Sequence, residues 1–199
     1  MNKKINQFLL PLAIGFILIS IAIISNQTPN QDLQNMPSLP KPIAKEMVLI
    51  TSAGQSTDTY IIKDIANKLM IHNYFMPQAS TLDLDDIQSV VFVVGYSEIN
   101  DTLFDTTYEN EIDRIKKLID SCNELDLTVI TVFIGGEHRK DAKTVWMLDY
   151  IGTNSDYIIT TADGDKDHSL YKLANELKIP FTIVNKLDDI SEPFASAFR

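Results

Sequence analysis

Three short segments hold the residue types that could do chemistry. The first is Thr51–Ser56, Thr-Ser-Ala-Gly-Gln-Ser, which sets three hydroxyls and a carboxamide around one glycine. A helical pattern starts directly after it. A small-residue loop of this kind frees backbone N–H groups and aims a helix N-terminus at whatever it holds, which suits an anion or a polar molecule. Ser52, Gln55 and Ser56 are its candidate hydrogen-bonding side chains. The loop contains no Lys or Arg, and Asp58 adds negative charge. The alternative is a capped helix start, with Ser56 or Thr57 as the cap and nothing bound. The second segment, Tyr96–Asp101, offers Ser97. The third, Gly135–Lys140, reads Gly-Gly-Glu-His-Arg-Lys. Its glycines permit close backbone approach. Arg139 suits a bidentate pair with a carboxylate or phosphate. His138 is a candidate general acid/base, with Ser52, Ser56 or Ser97 as nucleophile. No Gly-x-Ser-x-Gly elbow supports a hydrolase triad. Asp163–Asp167 alternates acids as calcium loops do, but the EF-hand order and its distal Glu are missing, so it reads as a turn with Asp167 capping the next helix.

These segments need elements to place them. Met47–Thr51, Ser89–Val94 and Leu127–Ile134 are apolar and β-branched, the mark of strands buried on both faces. Asn73–Met76, Asp156–Thr160 and Pro180–Val184 are further strands. Helical spacing marks Ile61–Met70, Tyr108–Leu125, Ala142–Tyr150 and Leu170–Leu177. Alternating strands and helices predict an α/β fold, a doubly wound parallel sheet of five or six strands in the order 2-1-3-4-5. In such a sheet ligands bind beyond the carboxyl ends of the strands, at the switch point. All three chemical segments follow strands, so all fall on that edge.

The first loop resembles the phosphate loop of flavodoxins in residue type and order, which makes the sheet flavodoxin-like in pattern. FMN is one implied ligand. Tyr96 is the one aromatic positioned to flank a flavin, and the Gly135–Lys140 loop lacks the second. The cofactor is therefore left unknown, and an FMN enzyme or a hydrolase using His138 stands as the alternative to a binding domain. A ligand-free interaction domain is the third reading.

The N-terminus fixes the expected location. Phe8–Ile24 is 17 uncharged, mostly apolar residues preceded by Lys3 and Lys4. At about 1.5 Å per residue it approaches the thickness of a bilayer core. An uncleaved signal-anchor is favoured over a cleaved signal peptide, because no Ala-x-Ala site follows. The lysines place the C-terminal domain outside a single-pass cell-membrane anchor, or secreted if cleavage occurs. Residues 1–25 are thus anchor or signal. Residues 26–46, with four prolines in 21 positions, are a linker, and 47–199 form the domain. Net charge is −10, and four basic against two acidic residues before Met47 leave −12 on the domain. Nucleic acid is excluded as a partner by that charge. The membrane, through the N-terminal helix, and a small-molecule ligand are the expected partners. Cys122 is the one cysteine, so no internal disulfide forms.

The boxes Leu49–Ser56 (LITSAGQS), Val93–Ser97 (VVGYS) and Ile134–Arg139 (IGGEHR) together resemble an uncharacterised bacterial family known as domain of unknown function 6305. The resemblance runs from Met47 to about Val184. It implies an extracytoplasmic α/β domain, with shared residues on loops at one sheet edge, and it implies no activity. The second loop continues as Glu-Ile-Asn-Asp here, where the family tends to be rich in Gly and Lys.

Overall fold

The computed structural model describes residues 38–199. The segment Phe8–Ile24 and most of the expected linker lie outside the described residues. No helix among the described residues is long and apolar enough to cross a membrane.

Six strands form one all-parallel sheet: β1 (Val48–Ala53), β2 (Asn73–Phe75), β3 (Ser89–Val94), β4 (Thr128–Phe133), β5 (Tyr157–Thr161) and β6 (Phe181–Val184). Their order is β2-β1-β3-β4-β5-β6, every neighbouring pair parallel. This is the expected 2-1-3-4-5 order with a sixth strand added at the β5 edge. The helices are α1 (Thr59–Lys68), α2 (Glu98–Leu103), α3 (Tyr108–Glu124), α4 (Ala142–Gly152), α5 (Ser169–Leu177) and α6 (Ser191–Ser196).

The unbroken apolar strands are explained by two cores, one on each face. Side chains alternate across a strand. In β3, Val90, Phe92 and Val94 meet Ile115, Leu118 and Ile119 of α3 and Met147 of α4. Val91 and Val93 face the other way, toward Ile62, Ile65 and Ala66 of α1 and Phe194 of α6. Cys122 is fully buried on α3 in the first core.

Three local differences from the sequence pattern matter for the site. Strand β1 runs on to Ala53, so Ser52 is a strand residue rather than a loop residue. Helices α2 and α6 carry no periodic signal, being six residues each. The main cap of α5 is not Asp167: Asp165, fully buried, accepts the N–H groups of Leu170 and Tyr171 (2.8 and 3.0 Å), while Asp167 accepts one backbone N–H of the helix, that of Ser169.

The chain reaches β1 along α6. Ile43 and Ala44 donate their N–H groups to Ala197 O (3.0 and 2.8 Å), and Lys45 N–H reaches Ser89 Oγ at the start of β3. It therefore arrives at the amino edge of the sheet, the end opposite the three chemical segments.

Candidate functional site

The first loop leaves β1 through two residues of positive φ, Gly54 at 91° and Gln55 at 63°. Glycine is required at 54 for a second reason. A Cβ there would lie 2.8 Å from Gly95 O and from Tyr96 Cα. The loop after β1 thus lies directly on the loop after β3, and Ser97 N–H donates to Gly54 O at 2.8 Å.

Two donors of the loop are already occupied by a carboxylate from the chain itself. Glu111 of α3 is 1% exposed. Its oxygens accept from Gly54 N–H (2.8 Å) and Gln55 Nε2 (2.9 Å). Arg114, one turn on, donates to the same carboxylate through Nε (2.8 Å) and Nη2 (2.6 Å). The guanidinium also reaches Ser52 O and Ala79 O, at 2.6 and 2.8 Å. Loop, α3 and the Pro77–Ala79 turn are stitched together by this one ion pair. Charge-assisted bonds of this length are the strong kind. The anion held by the loop is internal.

The sequence-derived candidates separate into two groups. Ser52, Gln55 and Ser56 do converge, lining one cleft of about 450 Å³ at the carboxyl edge. Ser52 contributes little hydrogen-bonding there, because its hydroxyl donates to Pro77 O at 2.7 Å. Ser97, Arg139 and His138 are not in the cleft lining. Ser97 caps α2, accepting from Asn100 N–H. Arg139 crosses from the β4 loop to pair with both oxygens of Asp58 at 3.1 and 3.2 Å, so its charge is matched within the protein. His138 is exposed, and its ring edge lies against Gly136, near Asp163. Among the described residues no serine hydroxyl is hydrogen-bonded to a histidine.

The rest of the cleft was not legible as a site. Its polar wall adds Gln78 and Asn100 to Gln55, Ser56 and Thr57. Its apolar wall is Tyr60, Phe75, Met76 and Phe104. Tyr60 and Phe75 meet edge to face, centroids 4.8 Å apart. No lining residue carries a charge. Volume and composition are those of a small-molecule site. Glu111 did leave a signal in the sequence. It falls three residues after Tyr108 and four before Ile115, a carboxylate on the apolar stripe of α3.

Beside the cleft, the second loop builds a separate polar cluster. Tyr96 donates its hydroxyl proton to Asp101 (2.7 Å) and accepts from Lys143 Nζ (2.9 Å). The ammonium also lies 4.1 and 4.9 Å from the ring centres of Tyr96 and Tyr108. Burial pushes the Tyr96 phenol above its usual range, and Lys143 partly opposes it. The bond to Tyr96 in turn raises Lys143. Asp101 Oδ1 is the one buried side-chain polar atom among the described residues without a partner. Farther along the edge, Lys140 pairs with Asp167 (2.5 Å) and Lys166 with Glu137 (2.8 Å), tying the β4 loop to the β5 loop.

Fold and cleft together define a parallel α/β domain with a ligand-sized, uncharged cleft where β1, β2 and α2 meet. The chain belongs to the family described as domain of unknown function DUF6305, whose model matches residues 45–198. No curated protein and no solved structure matches it.

Proposed function

We propose that this chain is a membrane-tethered, extracytoplasmic binding module, flavodoxin-like in shape, that holds a small uncharged molecule in the cleft at the carboxyl edge of its sheet. One observation carries this reading. In a protein of net charge −10, a cleft of about 450 Å³ is lined without a single charged residue. Uncharged apolar walls with a few convergent polar groups are what a neutral ligand requires. Phosphate fits less well. The loop that would cradle it already holds Glu111, and a second anion would meet that charge at close range.

The tether rests on Phe8–Ile24 and its preceding lysines. Among the described residues the chain enters the domain at the amino edge of the sheet. Two measurements test the reading. Protease added to intact spheroplasts should digest the domain, and protection would place it inside. Thermal melts of the full chain against neutral and anionic metabolite panels should show stabilisation by a neutral compound. That shift should disappear in Phe75→Ala. Stabilisation by anions alone, with Arg139→Ala abolishing it, would overturn the choice of cleft.

A further inference from the structure

The hydrogen-bonding capacity still open in the cleft points to a ligand class, an inference that rests on the binding role proposed above. Both ends of the Gln55 carboxamide and its backbone carbonyl are engaged, leaving one Nε2 N–H. Its Nε2 donates to Glu111, its Oε1 accepts from Gln78 Nε2 (3.2 Å), and its backbone carbonyl accepts from Asn100 Nδ2 (2.7 Å). Gln55 is therefore a strut that orients two other carboxamides. Gln78 and Asn100 each keep a carbonyl oxygen and one N–H, because each uses a single N–H on Gln55. Ser56 Oγ accepts from Asp58 N–H and keeps its own proton. Among the described residues nothing is hydrogen-bonded to the Thr57 or Tyr60 hydroxyls.

The open groups are thus neutral, and they include both donors and acceptors. A ligand matching them must both donate and accept without charge, which a hydroxyl does at a single oxygen. A hydrocarbon ligand would strand these groups away from water. A carboxylate or a fully ionised phosphate monoester accepts but does not donate. The opposite wall supplies flat apolar surface. Tyr60 and Phe104 are each 53% exposed, so their rings are available to a ligand. Aromatic faces carry negative potential and attract weakly positive C–H groups. A molecule with hydroxyls around its rim and C–H bonds on its face is a sugar ring.

We infer that the cleft binds a neutral saccharide, its C–H face on Tyr60 and Phe104 and its hydroxyls read by Gln78 and Asn100. The test is isothermal titration of the full chain, in a detergent without a sugar headgroup. One panel holds neutral saccharides: glucose, galactose, N-acetylglucosamine, cellobiose and chitobiose. A second holds glucuronate and glucose 6-phosphate, and a third uncharged aromatics such as indole. At least one neutral saccharide should bind saturably, and the anionic sugars at least about tenfold more weakly. Tyr60→Ala and Phe104→Ala should each weaken binding about tenfold, with melting temperatures confirming that both variants fold. Both side chains are half exposed, so neither change opens a core cavity. If no saccharide binds but an aromatic does, the saccharide assignment fails and the cleft stands. If nothing in any panel binds, both fail. Saccharide binding untouched by either substitution also overturns the inference.

Discussion

Replacing Glu111 by alanine removes the internal anion on which the first loop is built. The carboxylate is 1% exposed and takes bonds from Gly54 N–H, Gln55 Nε2 and two nitrogens of Arg114. Without it the Arg114 side chain, 16% exposed, keeps its charge and loses its counterion. Breaking one partner of a buried pair costs about 3–5 kcal/mol. Arg114 retains Ser52 O and Ala79 O, which favours the lower end. The unpaired Gly54 N–H adds about 1 kcal/mol. A total near 4 kcal/mol corresponds to a fall in Tm of about 12 °C for a domain of this size. Urea unfolding followed by circular dichroism at pH 7 measures it. Two controls separate charge from packing. Glu111→Leu with Arg114→Met removes both charges and should recover most of the loss, since a buried pair is replaceable by apolar groups of similar volume. Formate, small enough to enter the vacated position, should raise the Tm of Glu111→Ala and leave the wild type unchanged. A loss below about 1 kcal/mol, or a double variant no better than the single one, would refute the internal-anion account.

Other substitutions probe the same framework. Gly54→Ala places a methyl 2.8 Å from Gly95 O at a φ of +91° and should cost roughly 2 kcal/mol or more by urea unfolding; a neutral result would mean the two loops separate easily. Burial pushes the Cys122 thiol up to about 12, so maleimide at pH 7 should label it only after unfolding, and rapid native labelling would contradict its place in the core. The hydrogen bond from His72 is the main cause holding Glu46 below its ordinary value of 4.5, with Arg199 adding to it. A depressed carboxylate contributes stability that is present above its unfolded value and lost as pH falls through the folded one. The advantage of wild type over Glu46→Gln in thermal melts should therefore persist at pH 7 and shrink below about pH 4.5. A difference that stays constant across that range would remove Glu46 as its source.

Much of the architecture was legible. Strands β3 and β4 lie between two cores, so both of their faces are apolar and they appear as unbroken hydrophobic runs. Helix α3 shows its single buried stripe in the spacing of Ile115, Leu118, Ile119 and Cys122. The edge of the sheet that gathers the loops also followed, because parallel strands must all end on the same side. Within the site the sequence located Ser52, Gln55 and Ser56 together, yet it joined them to Ser97, Arg139 and His138, which the structure sets outside the cleft. Loop order along a sheet edge says which segments are neighbours. It does not say which way each side chain turns.

What the sequence determined by itself is whatever depends on period and composition: the strands and the four longer helices, the parallel sheet, the acidic net charge, and a hydroxyl-rich turn after β1. Only the tertiary structure decided what that turn does. Gly54 and Glu111 are 57 residues apart in sequence and 2.8 Å apart in space. Asn100 and Phe104 reach the cleft from a helix too short to show a period and from the residue that caps its end. Periodicity is a property of neighbours along the chain, whereas the partner of a polar group is whichever side chain folding brings within hydrogen-bonding distance. For this loop that partner is a carboxylate of the protein itself, and the neutral cleft lies beside it.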